Sequence, residues 1–154
     1  MAQLLKLTLS EFRNYGRLVW SPDASLVVIT GENGSGKTNL LESLSLLTPG
    51  RGLRSAPLAQ LGRDNATSWG ISARFSFGEE RLELGTGMAG AGDAARRVYL
   101  LNGQPVRNRD ALEETLSAVW ITPQMDRLFS EGASGRRRFL DRLVMALSPD
   151  HGRQ

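Results

Sequence analysis

Residues 31–38 read Gly31-Glu32-Asn33-Gly34-Ser35-Gly36-Lys37-Thr38, a full match to G-x-x-x-x-G-K-[ST]. No other feature constrains the fold as much, because this pattern belongs between a buried strand and a helix. Residues 26–29 (Leu, Val, Val, Ile) predict a strand buried on both faces. Downstream, Leu40, Leu41, Leu44 and Leu47 predict one face of a helix that Pro49 and Gly50 stop. At this chain's own residue frequencies, an accidental match is expected on the order of 0.003 times. The chemistry follows from the residue types. Gly31, Gly34 and Gly36 let successive backbone N–H groups turn inward around phosphate oxygens. The start of the helix adds a partial positive charge. Lys37 is suited to reach the β- and γ-phosphates, and the Thr38 hydroxyl to hold Mg2+. The nucleotide site read here is residues 31–38 with Asn39, Lys37 carrying the catalytic role.

Composition narrows the rest. A chain of 154 residues with 40% hydrophobic and 23% charged residues is one globular domain. Cysteine is absent, which excludes disulfides and thiol chemistry. The single histidine, His151, lies near the end and argues against imidazole-based metal or triad sites. Lysine occurs only at Lys6 and Lys37, so the other 17 positive charges are arginines, planar forks suited to phosphate and carboxylate. The net charge of +3 is too mild to argue for nucleic acid without local clusters. The longest aliphatic run, residues 26–29, is far short of a membrane span. Lys6, Glu11 and Arg13 interrupt any signal-peptide core, and the chain is read as cytoplasmic with no membrane partner.

Leu5, Leu7 and Leu9 alternate with Lys6, Thr8 and Ser10, the period of a half-buried strand over residues 3–12. A turn at residues 14–16 and a short strand at 18–20 follow. Residues 48–68, rich in glycine, proline and arginine, read as loop. Strands are expected over 69–77, 81–84 and 96–101, with turns at 78–79 and over the glycine-alanine stretch 85–95. Asn102-Gly103 is a tight hairpin signal. A helix over 109–116, a buried strand over 118–122 and a helix over 135–147 complete the chain. The fold class is α/β, a mononucleotide-binding layout with an inserted antiparallel β-subdomain. Residues 1–50 form the strand–loop–helix core, 68–106 the subdomain and 109–148 the return.

Several segments resemble one family. They are LSEFRNYGRL, VVITGENGSGKTNLLESL, the loop GRGLRS, the hairpin LNGQPV and WITPQMDRLFSEGASGRRRFLDRLV. Together they resemble the N-terminal part of the RecF family, bacterial DNA repair and replication ATPases of the SMC-like branch of ABC-type heads. The resemblance implies a P-loop NTPase fold, the N-terminal lobe of an ABC-type ATPase head. It implies ATP and Mg2+ as cofactors, and slow hydrolysis coupled to homodimerisation through ATP-sandwiched heads. It also implies binding to gapped and single- and double-stranded DNA junctions in recombinational repair and replication restart, with RecO and RecR as protein partners. An LSGGQ-like signature and an apolar strand ending in two carboxylates are absent from this sequence, and Phe129-Ser130-Glu131-Gly132 only faintly echoes the first. The chain is thus read as an N-terminal fragment that binds phosphate and lacks the water-activating carboxylate. Two other readings stay open: an overcoming-lysogeny-type ATPase of the same branch, and a nucleotide-binding module without turnover.

Further candidates carry alternatives. Gln124 sits where ABC-type heads place a glutamine that senses Mg2+; the other reading is a solvent-facing residue after Pro123. Arg13 and Asn14 either contact the nucleotide or form an ordinary turn. Arg51, Arg54 and Arg63 either track a nucleic-acid backbone or lie in a solvated loop. Arg136, Arg137, Arg138 and Arg142 read as the basic outer face of a packed helix, with Asp141 in reach of Arg137 and Arg138. Trp69, Phe75 and Trp120 are expected in the core.

Overall fold

Alternating apolar residues at the start of the chain build the first two strands of a sheet that the middle of the chain completes. The computed structural model describes residues 2–64, 66–90, 92–123, 125 and 132–147. Strand β1 (Gln3–Phe12) turns into β2 (Tyr15–Trp20), and the phosphate-loop motif leads into helix α1 (Lys37–Ser45). After a loop with a short 3-10 turn (Leu58–Gln60) come β3 (Gly70–Phe77), β4 (Glu80–Ala89), β5 (Arg96–Leu101) and β6 (Gln104–Pro105). Helices α2 (Arg109–Thr115) and α3 (Ala133–Leu147) follow. The strands form one antiparallel sheet of order β2-β1-β3-β4-β5-β6. Residues 68–106 therefore do not stand apart: β3 pairs along most of β1, Leu7 facing Ala73 and Leu9 facing Ile71. Asn102 and Gly103 both take positive φ, 49° and 80°, at the β5–β6 turn, the conformation this hairpin requires.

One face of the sheet is apolar. Leu7, Leu9, Ile71, Ala73, Phe75, Leu84 and Tyr99 lie there, joined by Leu40, Leu46 and Leu47 around α1 and by Leu112 of α2. Strict alternation in β1 breaks at its end. Glu11 takes φ 47°, so Phe12 turns inward to meet Trp69 edge-to-face with ring centroids 5.9 Å apart. Arg97 of β5 crosses from the sheet to the far end of α1. It donates to the Leu46 and Gly50 carbonyls and, through Nε, to Thr86 Oγ1 at 3.0 Å. Its guanidinium lies 4.6 Å from the centre of the Tyr99 ring. A cation there meets orphan carbonyls at a helix C-terminus, where the helix dipole favours positive charge.

Four expectations need correction. Residues 26–29 are not a buried strand: no regular structure forms there, and Leu26 and Val28 are 83% and 78% exposed. Residues 118–122 likewise form no strand, and Val119 and Ile121 are exposed while Trp120 is half-buried. A strand of continuous apolar residues holds only when neighbours pair along both edges, and neither segment pairs with a strand among the described residues. The stretch 85–95 is not all turn, since β4 runs on to Ala89 and pairs with both β3 and β5. Helix α1 does not bury its leucine stripe as a unit either. Leu40 and Leu47 are buried, but Leu41 is 49% exposed while Glu42, Ser43 and Ser45 are buried. The hydroxyls of Ser43 and Ser45 are satisfied by the Leu40 and Glu42 carbonyls of their own helix, at 2.6 and 2.7 Å.

Candidate nucleotide-binding site

The loop of residues 31–38 owes its shape to three glycines at positive φ: Gly31 at 152°, Gly34 at 82° and Gly36 at 99°. Gly36 is the tightest of them. It occupies the N-cap of α1, where no side chain caps the helix, and a Cβ there would stand 2.6 Å from Asn14 Nδ2 and 2.7 Å from the Tyr15 hydroxyl. A larger residue would meet both bad φ and occupied space. The Ser35 N–H donates to the Glu32 carbonyl at 3.3 Å and closes the bend. The Leu40 N–H donates to the Gly36 carbonyl at 3.0 Å and opens the helix.

Lys37 folds back over this bend. Its Nζ donates to the Gly31 and Glu32 carbonyls at 2.7 and 2.6 Å. The ammonium thus sits within the concavity that the glycines shape, held by neutral carbonyls that phosphate oxygens outcompete. Thr38 follows on the first turn of α1, and both side chains line a cleft of about 1270 Å³. Ile29, Leu41, Phe75 and Trp120 supply apolar walls to that cleft, and Arg54 a polar rim. The donor set suits a polyphosphate with a hard cation: a helix N-terminus without a side-chain cap, one lysine and one hydroxyl oxygen.

The residues flanking the loop fall into two groups. Arg13 forks onto Glu42, Nε to Oε2 at 2.8 Å and NH2 to Oε1 at 2.7 Å, and its NH1 reaches the Gln60 carbonyl at 2.8 Å. Its guanidinium is therefore engaged with a carboxylate rather than directed at the loop. Asn14 lies against Gly36 and accepts from Asn39 Nδ2 at 2.8 Å. Tyr15, which sequence reasoning passed over, donates its hydroxyl to the Gly36 carbonyl at 3.2 Å. Arg54 donates to Asn39 Oδ1 at 2.6 Å and to Glu42 Oε2 at 3.2 Å. Glu42 was also missed, because a single acid in a leucine-rich helix carries no local signal. Arg51 is exposed beside Gly50, and Arg63 is exposed near Gly16. Gln124 and most of 129–132 lie outside the described residues, and Gly132 just before α3 is exposed. On α3, Arg136, Arg137 and Asp141 are exposed, in keeping with a basic outer face. Among the described residues no helix is long and apolar enough to cross a membrane.

Residues 6–111 match the AAA domain family. The DNA replication and repair protein RecF of Mesorhizobium japonicum is 48% identical over 151 residues, 97% of this chain and 40% of that protein. The RecF protein of Agrobacterium fabrum is 48% identical over 153 residues, 98% of this chain and 41% of its own. The chain thus spans about 40% of the length of these curated relatives. Among solved structures, the recombination mediator protein RecF-ATP in the RecFOR pathway superposes with a TM-score of 0.82 at 21% identity, over 97% of this chain and 39% of that one. The SMC head domain from Thermotoga maritima superposes with a TM-score of 0.57 at 19% identity, over 84% of this chain and 51% of its own. At such identities the likeness shows the fold alone, a P-loop fold with an antiparallel sheet.

Proposed function

The chain belongs to the AAA domain family, with RecF proteins as relatives, and on that premise we propose that it is the ATP-binding lobe of a RecF-like DNA repair protein. The observation that carries the reading is the Lys37 ammonium turned into a glycine-shaped bend at the N-terminus of α1. In that reading, backbone N–H groups of residues 33–38 and the helix start bind the phosphate chain. Lys37 leaves the Gly31 and Glu32 carbonyls for the terminal phosphates, and Thr38 offers its hydroxyl to Mg2+. The metal, when bound, supplies neutralising charge between phosphate oxygens. Asn14 and Asn39 keep the loop against the first hairpin, and Gln124 is kept as a candidate metal contact.

The longer relatives suggest the remainder of the proposal. Turnover is assigned to proteins that also carry a signature segment and a carboxylate-ended strand, in a cytoplasmic homodimer with ATP between the heads. DNA at gaps and junctions, RecO and RecR are the proposed partners, with Arg51, Arg54 and Arg63 as candidate backbone contacts. Titration with a fluorescent ATP analogue tests the core of this reading. Lys37→Ala is expected to weaken binding about tenfold or more, the loss of one charge-assisted contact worth about 1.5–3 kcal/mol. Equal affinity of variant and parent ends the assignment.

A further inference from the structure

Building on the nucleotide-binding reading, we infer that Glu42 is a positioning residue for the phosphate loop, acting on Gly36 through Arg13 and the turn that follows it. Glu42 is 1% exposed and stands one helical turn beyond Thr38. Both of its oxygens take the Arg13 fork, and Oε2 also receives Arg54, whose side chain is 42% exposed. A carboxylate so deeply buried is tolerated only when paired, so the two guanidiniums and the acid hold one another in a single geometry. Arg13 is held at a φ of 53° in the two-residue turn that joins Phe12 to Tyr15, a constrained conformation that is uncommon for a residue with a side chain.

The residues after Arg13 pass that constraint on. Asn14 lies against Gly36 and Tyr15 donates to its carbonyl, while Asn39 ties Asn14 back to α1. Arg54 closes the circuit by donating to the Asn39 amide oxygen that faces it. The buried acid, the strained turn and the glycine before Lys37 form one connected set. Removing the carboxylate releases Arg13, and the turn then no longer fixes where Gly36 places the N–H groups of the helix start.

The test uses the whole chain, isotopically labelled. Glu42→Gln keeps the volume and loses the charge. The amide resonance of Gly36 is expected to shift in the nucleotide-free variant, and affinity for a fluorescent ATP analogue to fall about tenfold. Asn14→Ala is expected to weaken affinity less, about threefold, and to add nothing in the Glu42→Gln background, because both changes act through the same contacts. A variant that only melts earlier, with the Gly36 amide and the affinity unchanged, overturns the inference and leaves Glu42 a purely structural ion. If Glu42→Gln does not fold, Arg13→Lys, which keeps charge but loses the fork, is read by the same amide and the same criteria. If the parent binds no nucleotide, the functional reading falls, and the Gly36 amide alone still decides whether Glu42 positions the loop.

Discussion

Gly36 shows how closely one position is defined. Its φ of 99° disfavours any side chain, and an added Cβ would stand 2.6 Å from the Asn14 amide and force it to shift. Gly36→Ala is expected to store about 1–3 kcal/mol of backbone strain, to lower the melting temperature and to abolish measurable nucleotide binding in the fluorescence titration. This glycine, Lys37 and Thr38 were legible because their spacing is local and their chemistry fixes residue type. Glu42 was not. Its meaning comes from Arg13, 29 positions earlier, and Arg54, 12 positions later, and no local window contains that triad. For the same reason the sequence carried no sign that Arg13 and Arg54 both donate to an internal anion.

Elements built from short-range signals were readable. Alternation located β1, β3 and β5, and Asn102-Gly103 located the last hairpin, since each depends on neighbours within a few residues. The apolar runs at 26–29 and 118–122 were not, because a strand buried on both faces is made by its partners rather than by its own pattern. Helix α1 was half legible: its position follows the motif, but its buried side is polar. Arg97 ties the end of α1 to β5. Arg97→Met preserves length and removes three donated hydrogen bonds, to Leu46, Gly50 and Thr86. Loss of about 2–3 kcal/mol of folding stability is expected, read from urea unfolding midpoints. A fall of less than about 0.5 kcal/mol would mark the contact as dispensable.

At the level of the molecule, one apolar sheet face is closed while the cleft side is not. Leu26, Val28, Leu41 and Ile121 expose apolar side chains, and Leu41 and Ile121 line the same cleft as Lys37 and Thr38. Val28→Lys combined with Ile121→Lys is expected to reduce binding of a hydrophobic dye and light scattering at high concentration, while changing stability by no more than about 0.5 kcal/mol. Unchanged dye binding would show that these side chains are covered in solution. The network around Glu42 has a temporal side as well. Arg13 reaches the carbonyl of Gln60, 47 positions on, and its own N–H takes that of Leu61. A ribosome making this protein delivers the glycine bend well before the segment that braces it. On the proposed reading, nucleotide met at that moment would encounter an unfinished cradle, and tight capture would wait until the chain had grown past Leu61.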